Sequence, residues 1–278
     1  MERYSTKHLK PADIRAFRRE IYRYYREKRR KLPWRRTRDP YRILVSEVML
    51  QQTHVGRVAE KYRTFIRAFP DFPSLARSPL REIFKVWHGL GYNRRALALK
   101  RIAERVVGEW AGKLPRRVDL LESLPGIGYA TASSIAAFAF NIPSVFVETN
   151  IRTVFIHFFF PRRRSVRDRE IVLLVAETLD RANPRLWYSA LMDYGASLKE
   201  RHGNPNWRSA HYRRQPAFMG SNRQLRGMVL RTLVKEKFLS ESEMARRVKI
   251  GCGRLRDALS QLEREGLVKK NGQRFQIP

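Results

Sequence analysis

The sequence predicts an all-α body followed by a small C-terminal module, a winged helix-turn-helix. Apolar side chains recur at helical spacing along most of the 278 residues. Proline, glycine or asparagine bounds each helical segment at a position suited to a cap or a break. Alternation typical of strands is absent until the C-terminal end of the chain.

The first helix is predicted over residues 12–30, where apolar side chains share one face and the opposite face is strongly basic. Leu32-Pro33-Trp34 ends it. The remaining helices of the body are predicted at 41–52, 54–69, 79–88, 93–111, 118–123, 129–141, 150–159, 167–181 and 184–198. No internal repeat or low-complexity tract interrupts this series.

The body ends in a change of composition. Residues 200–220 are rich in glycine, asparagine, proline and serine, which predicts a long loop leading to a domain boundary. Within it, we expect residues 200–212 to be ordered by packing of Trp207 and by hydrogen bonds of Asn, Ser and His side chains.

The C-terminal module, residues 221–278, has its own pattern. One helix is predicted over 223–237, a capping box of Ser240 and Glu243 begins a second, and a third follows. Two short apolar strands then flank Asn271-Gly272, a sequence that favours a tight hairpin turn. Three helices and a hairpin predict a winged helix-turn-helix, which binds DNA or, in the alternative, a protein partner.

The charge of the chain is extreme. Lys and Arg number 58 against 26 Asp and Glu, a formal net charge of +32. The basic residues are spread over the whole length, which favours a nucleic acid as the partner over a merely solvated basic surface. No apolar run has membrane-spanning length, and Met1-Glu2-Arg3 begins no signal peptide, so we expect a cytoplasmic, nucleoid-associated protein with no membrane partner.

Cys252 is the only cysteine. A single thiol can form neither an internal disulfide nor a four-thiolate zinc or iron–sulfur site. The six histidines show no paired helical spacing, and metal binding by His202 and His211 is the minor alternative. The sequence therefore predicts no metal and no cofactor.

A carboxylate on an apolar segment is the first candidate for chemistry. Glu47 lies among Ile43, Leu44, Val45 and Val48, and amide and hydroxyl side chains follow where the segment ends. A half-buried carboxylate tends to have a raised pKa and can act as a proton donor. The alternative is that Glu47 only faces a partner arginine.

A second motif is Leu124-Pro125-Gly126-Ile127-Gly128, between two predicted helices. Two glycines allow a tight turn whose backbone N–H groups can approach a phosphate at a helix N-terminus. In so basic a chain, this favours a helix-hairpin-helix that binds DNA through Gly126 and Gly128 over an ordinary helix connector.

A second carboxylate, Glu148, follows an apolar stretch at the start of a helix. It can be a simple charge at a helix N-terminus. With Glu47 it supplies the two carboxylates that a reaction with an oxocarbenium-like transition state needs, an acid for the leaving group and an anion for the sugar cation.

Six motifs in order carry a resemblance to a known family. Together they resemble the adenine DNA glycosylases of the MutY type, in the helix-hairpin-helix superfamily with endonuclease III, over roughly residues 10–200. The motifs are Leu32-Pro33-Trp34-Arg35, Asp39-Pro40-Tyr41, Ser46 to Thr53, Gly89-Leu90-Gly91-Tyr92, Leu124 to Gly128 and Ala190 to Ala196.

The resemblance implies a two-domain helical body at 1–212 with the lesion pocket in the cleft between its domains. The six-helix domain would span about 38–145, and the second domain would combine 1–37 with 146–212. The implied partner is double-stranded DNA with a mismatch or an oxidised guanine, bound by a monomer.

The resemblance also implies roles for single residues. Glu47 corresponds to the acid that protonates adenine, Glu148 to an aspartate that stabilises the sugar cation, and Asn150 to a helper asparagine. A flipped-out base leaves a gap that side chains can fill. The implied base pocket is Leu32, Trp34, Arg35, Asp193 and Tyr129, and the residues implied at the gap and the opposite base are Gln52, Thr53, Leu90 and Tyr92.

The chain departs from the family in several places. Glu148 is one methylene longer than the family's aspartate, and Ala130 stands where endonuclease III-like enzymes have a Schiff-base lysine, with Tyr129 one residue earlier. Lys199 and the loop from His202 to His211 stand where the four-cysteine cluster is expected. The winged helix replaces the usual domain that inspects oxidised guanine, and we expect it to grip DNA phosphates through Arg254, Arg256, Lys269 and Lys270.

The sequence thus predicts a monofunctional glycosylase that removes adenine opposite 8-oxoguanine or guanine. One alternative is a mismatch glycosylase for uracil, thymine or hypoxanthine, because pocket and reader domain both differ from the family. The other is a non-catalytic lesion sensor or regulator.

Overall fold

The computed structural model describes residues 9–278, and the expectation about the N-terminal Met1-Glu2-Arg3 lies outside these residues. Two compact units divide the chain. The first comprises residues up to Ile43, Arg116–Ser123 and Ile127–Arg214, and the second Leu44–Pro115, Leu124–Gly126 and Gln215–Pro278. Among the described residues, no helix is long and apolar enough to cross a membrane.

Helices dominate both units, as predicted. They are α1 Pro11–Lys28, α2 Pro40–Leu50, α3 Val55–Ala68, α4 Phe72–Arg77, α5 Leu80–Trp87, α6 Arg94–Trp110, α7 Val118–Glu122, α8 Tyr129–Phe140, α9 Thr149–Phe159, α10 Asp168–Thr178, α11 Pro184–His202, α12 Asn222–Lys235, α13 Glu241–Val248 and α14 Cys252–Arg264. The strands are β1 Leu239–Ser240, β2 Lys269–Asn271 and β3 Arg274–Gln276.

Several short elements were not predicted. Helix α4 begins with a capping box in which Asp71 and Ser74 exchange hydrogen bonds between side chain and backbone. Short 3₁₀ helices occupy Pro33–Arg36 and Pro205–Arg208. Helix α11 continues to His202, so the segment predicted as a loop from residue 200 begins as helix and leaves it at Gly203, whose φ is +75°.

The core of the first unit surrounds α9. Phe17 of α1 meets Phe155, Phe158 and Trp187 edge to face, with ring centroids 5.2–5.7 Å apart. Helix α8 packs on α7 and α11 in this unit, whereas the predicted six-helix domain at 38–145 included it. The nearly continuous apolar sequence of α9 is explained by this position, because α1, α10 and α11 surround it.

The C-terminal module belongs to the second unit. Its strands form one antiparallel sheet in the order β1-β3-β2, and the predicted capping box of Ser240 and Glu243 begins α13. Helix α12 packs on α5, where Arg81 Nη2 donates to the Val234 carbonyl at 2.6 Å. The order helix, strand, two helices, two strands is the one that a winged helix requires, and that identification stays a prediction.

Candidate active site

Glu47 lies half-buried on α2, between core residues. Val45, Val48 and Met49 are at most 1% exposed, so the helix presents this carboxylate from an apolar, closely packed segment. Because α2 ends at Leu50, Glu47 lies about one helical turn from the polar loop that follows. The predicted setting of a carboxylate at the edge of a core is thus present.

Arg95 holds the C-terminal end of α2, a role that the sequence did not reveal. Its Nη1 donates to the carbonyls of Val48 at 2.9 Å, Met49 at 2.7 Å and Gln51 at 2.5 Å. These are carbonyls that the end of a helix leaves without intrahelical partners. Burial lowers the pKa of the Arg95 guanidinium to about 10, with Tyr92 opposing the shift.

The same guanidinium joins two loops. Its Nη2 donates to Thr53 Oγ1 at 2.8 Å and to the carbonyls of Leu90 at 3.3 Å and Gly91 at 3.1 Å. The loop that carries Gln52 and Thr53 is therefore tied to the Leu90-Gly91 loop through one cation. Gln52 is exposed, with a left-handed φ of 53°.

Leu90 is buried. The resemblance implied a place for it at the gap and the opposite base, and its side chain is 2% exposed in the second unit. Its backbone carbonyl accepts a hydrogen bond from Arg95 Nη2. A buried apolar side chain also serves core packing, and the contact of Leu90 with DNA stays a prediction.

Tyr92 contacts two guanidinium groups. Those of Arg95 and Arg223 are each 5.4 Å from its ring centroid. Its hydroxyl accepts from Arg223 Nη1 at 2.7 Å and also from Gln215 Nε2. The φ of Tyr92 is 48°, a region that residues other than glycine rarely adopt. Its position is therefore imposed by its surroundings.

The glycine turn behaves differently at its two ends. Gly126 has a φ of +74°, and a Cβ there would lie 3.2 Å from the Ala98 Cβ. Its carbonyl accepts from Gln51 Nε2 at 3.2 Å. Gly128 is the extended N-cap of α8 and a Cβ there would meet nothing within 4 Å, so its backbone is open to a large ligand rather than sterically required to be glycine.

Glu148 caps the N-terminus of α9. Its Oε1 accepts from the backbone N–H groups of Asn150 at 2.8 Å and Ile151 at 3.0 Å, and Asn150 Nδ2 donates to its Oε2 at 3.3 Å. The capping role weighed from the sequence is thus present, and it fixes the position of the carboxylate at the N-terminus of α9.

Asp193 is the most buried of the predicted pocket residues, at 1% exposed. Its carboxylate accepts from Arg30 Nε at 2.5 Å, the Arg30 backbone N–H at 2.9 Å and Arg35 Nη1 at 2.6 Å. It therefore anchors the 3₁₀ helix Pro33–Arg36, which carries Trp34, itself 7% exposed. Leu32 is half-buried just before this helix.

The last pocket residue, Tyr129, is 53% exposed at the start of α8. With Leu32, Trp34, Arg35 and Asp193 it belongs to the first unit, as do Glu148 and Asn150. Glu47, Gln52, Thr53, Leu90 and Tyr92 belong to the second.

The four basic residues predicted to grip DNA are exposed on the C-terminal module. Two of them have internal partners: Arg254 Nη2 donates to the Gly220 carbonyl at 2.9 Å, and Arg256 pairs with Glu241 at 3.0 Å. Lys270 lies 5.8 Å from the Phe275 ring centroid. The lysine side chains on β2 therefore have fewer polar partners within the module than the arginine side chains of α14.

A buried asparagine helps to hold the segment after α11. Asn206 is 3% exposed, and its Nδ2 donates to the Thr149 carbonyl at 3.2 Å and Thr153 Oγ1 at 2.7 Å. Trp207 is 56% exposed, so burial of its indole does not order this segment as expected, whereas the expected hydrogen bonds of Asn and Ser side chains are present. The buried amide fixes the backbone without the indole.

A four-cysteine cluster does not fit this segment. The only thiol, Cys252, is exposed on α14, and the described residues contain no group of three or more His, Cys, Asp and Glu side chains that could hold a metal ion. His202 instead stacks on His157 with ring centroids 5.8 Å apart.

Comparison with known proteins places this chain. Residues 45–175 match the HhH-GPD superfamily of base excision DNA repair proteins. The chain is 36% identical over 233 residues to the adenine DNA glycosylase of Mycolicibacterium smegmatis, covering 77% of this chain and 79% of that protein. It is 35% identical over 164 residues to the thymine/uracil-DNA glycosylase of Pyrobaculum aerophilum, covering 57% of this chain and 71% of that protein.

A solved structure agrees with the fold. A thermostable thymine-DNA glycosylase superposes with a TM-score of 0.58 at 28% identity, covering 66% of this chain and 86% of that one. The sequence motifs, the helical fold and these matches lead to one conclusion: the chain belongs to the adenine DNA glycosylase family, within the HhH-GPD superfamily of base excision DNA repair proteins.

Proposed function

We propose that this DNA glycosylase hydrolyses the N-glycosidic bond of adenine that lies opposite 8-oxoguanine or guanine. The observation that carries the proposal is a pair of carboxylates in two different settings. Glu47 lies half-buried in a packed helix, and Glu148 accepts three hydrogen bonds at a helix N-terminus. Such settings suit one carboxyl group that gives a proton and one that stays an anion.

The chemistry divides between these two residues. Glu47 protonates the adenine as it leaves, and Glu148 stabilises the positive charge that develops on the sugar. Asn150 holds the Glu148 carboxylate through its backbone N–H and its side-chain amide. Water then completes the hydrolysis, and no amine stands at position 130, where Ala130 is found, to attack the sugar.

DNA binding rests on charge and on the loops. The net charge of +32 and the open N-terminus of α8 at Gly128 suit phosphates. Tyr92, Gln52 and Thr53 would fill the gap left by the extruded base. The C-terminal module would add contacts to phosphates through Arg254, Arg256, Lys269 and Lys270, and the enzyme would act as a monomer on DNA of the nucleoid.

A second candidate is removal of thymine or uracil from mismatches. The similarity to a thymine/uracil-DNA glycosylase and to a thymine-DNA glycosylase structure favours it. Tyr129, exposed at the start of α8, would contact such a base in place of a residue at position 130.

A panel of labelled duplexes separates these candidates. Each duplex carries adenine, thymine, uracil or hypoxanthine opposite guanine or 8-oxoguanine, and alkali reveals base release. We expect adenine release, and a loss of about a hundred- to ten-thousandfold in Glu47→Gln with DNA affinity nearly intact. Glu60→Gln, on the exposed face of α3, is the matched control.

The outcomes are distinct. Preferential release of thymine or uracil supports the second candidate. Binding without release of any base identifies a lesion sensor. Loss of DNA affinity in parallel with activity in Glu47→Gln shows that Glu47 has a structural role.

A further inference from the structure

Helices α11 and α9 touch through their backbones. A Cβ at Gly195 would lie 2.8 Å from the Asn150 carbonyl carbon and 2.9 Å from the Asn150 Cβ, so a larger residue needs a shift of one helix. Lys199 follows one helical turn later on the same face of α11. The crossing therefore brings the Lys199 side chain to the N-terminus of α9.

Lys199 fixes the orientation of the Asn150 side chain. Its Nζ donates to Asn150 Oδ1 at 2.9 Å, and Asn150 Nδ2 donates to Glu148 Oε2 at 3.3 Å. A lysine ammonium group can only donate, so it binds the oxygen end of the amide and leaves the nitrogen end for the carboxylate. The reversed amide would put an oxygen against the carboxylate and lose both hydrogen bonds.

Burial of the Lys199 ammonium group costs free energy, which favours a functional role for this residue. Burial lowers the pKa of Lys199, the charge of Glu148 raises it, and Arg152 and Arg30 lower it further. A lysine in this half-buried position is stabilised by the amide oxygen of Asn150 and by attraction to the Glu148 carboxylate.

We infer that Lys199 is a positioning residue for base excision, acting through Asn150 on the Glu148 carboxylate. The inference rests on the proposed function, because it assumes that Glu148 stabilises the sugar cation. Lys199 stands where the family resemblance places the four-cysteine cluster. The chain thus uses this position to support the second carboxylate through the Asn150 amide.

The first test measures base release under single-turnover conditions with saturating enzyme. We expect Lys199→Met to lower the rate constant by about ten- to a hundredfold, as for loss of a hydrogen bond to a charged group. DNA affinity should be nearly unchanged, and Lys199→Arg should recover much of the rate. Arg201→Met, which removes an exposed cation from the same helix, is the matched control and should match wild type.

A double-mutant cycle tests the route. If Lys199 acts through Asn150, Lys199→Met adds no further loss to Asn150→Ala. Additive losses overturn the inference, as does a Lys199→Met enzyme of wild-type rate. A borohydride-trapped complex that is lost in Lys199→Met also overturns it, because the amine would then be a nucleophile.

A separate measurement tests the contact of Lys199 with Asn150 even if the proposed function is wrong. If wild type releases no base from any duplex, the role of Glu148 is wrong, and the NMR signal of the Asn150 side-chain amide still reports on Lys199. That signal should move in Lys199→Met and stay in place in Arg201→Met. An unchanged signal in a folded Lys199→Met protein contradicts the inference.

Discussion

Arg223 Nη1 donates to the Tyr92 hydroxyl at 2.7 Å, and the guanidinium lies 5.4 Å from the Tyr92 ring centroid. Arg223 belongs to α12, so the C-terminal module holds a residue that is predicted to enter DNA. The same guanidinium is 5.3 Å from the Phe218 ring centroid. The module therefore contacts Tyr92, in addition to the contacts with DNA phosphates that are proposed for it.

We expect Arg223→Ala to slow base release by about tenfold, because Tyr92 loses a cation–π contact and a charged hydrogen bond. Tyr92→Phe keeps the contact of the ring with its two cations and should lose less. Single-turnover rates of both variants check this, with Arg231→Ala on the exposed face of α12 as the control. Equal rates for Arg223→Ala and wild type would show that Tyr92 needs no support from α12.

Truncation after residue 220 removes contacts to the glycosylase body that the sequence did not reveal. From the sequence alone, removal of the module should weaken binding and leave the catalytic step largely intact. In the structure, it also removes Arg223 and the Val234 carbonyl that Arg81 binds. We therefore expect truncation to lower the single-turnover rate as well as flatten the salt dependence of binding.

Arg95 predicts a large effect on stability. Arg95→Met leaves the carbonyls at the end of α2 without their donor, and buried groups of this kind cost about 1–3 kcal/mol each when unpaired. We expect the free energy of unfolding to fall by at least about 3 kcal/mol, read from urea denaturation. Arg94→Met, an exposed neighbour, should change it by less than about 0.5 kcal/mol.

His157 predicts a dependence of stability on pH. Its pKa lies below the ordinary value, chiefly because of burial and then because of the charges of His202, Arg208 and Arg201. The unfolded chain therefore binds more protons between the two pKa values, so this contribution is complete above about pH 6.5 and is lost as the pH falls through the folded pKa.

We expect His157→Gln to show a shallower fall in the free energy of unfolding below about pH 6.5 than wild type. Chemical denaturation at neutral and mildly acidic pH measures the difference. His211→Gln, an exposed histidine of the same unit, should keep the wild-type slope. A steeper fall in His157→Gln would contradict the sign.

The metal content is also predicted. We expect a colourless protein whose activity survives a chelator and whose elemental analysis shows no stoichiometric iron, because one cysteine cannot supply four thiolates. Stoichiometric zinc that is lost in a His202→Gln, His211→Gln double variant would refute this.

Covalent trapping provides the last prediction. With Ala130 at the lysine position of endonuclease III-like enzymes, we expect no efficient strand cleavage and no borohydride-trapped complex. A strong trapped band that disappears on substitution of one lysine would overturn it.

The sequence predicted the helices of the body well, since long apolar periodicity is read directly from residue types. It missed α4, whose six residues are too few for a period and whose capping box uses an Asp and a Ser. It also did not show that the side chain of Leu90, one of the residues implied at the DNA gap, is buried. A motif gives residue order, whereas tertiary packing decides which side chain of a motif faces out.

The structural roles of Arg95 and Lys199 could not be predicted from the sequence pattern. Both are basic residues in a chain with 58 of them, so nothing in composition separates them from the exposed ones. Their partners are carbonyls, a hydroxyl and an amide, which carry no charge and so leave no charge pattern in the sequence. The crossing of α9 with α11 identifies Lys199, and the hydrogen bonds at the end of α2 identify Arg95.

The contact at Gly195 has a consequence for mutagenesis. Because α11 meets Asn150 through backbone atoms, no side chain between them can absorb a displacement. Volume changes at buried positions of α11, such as Trp187 or Leu191, are therefore transmitted to the N-terminus of α9. A screen for inactive variants would then return core positions of α11 alongside Glu148, although their side chains never touch the reacting sugar.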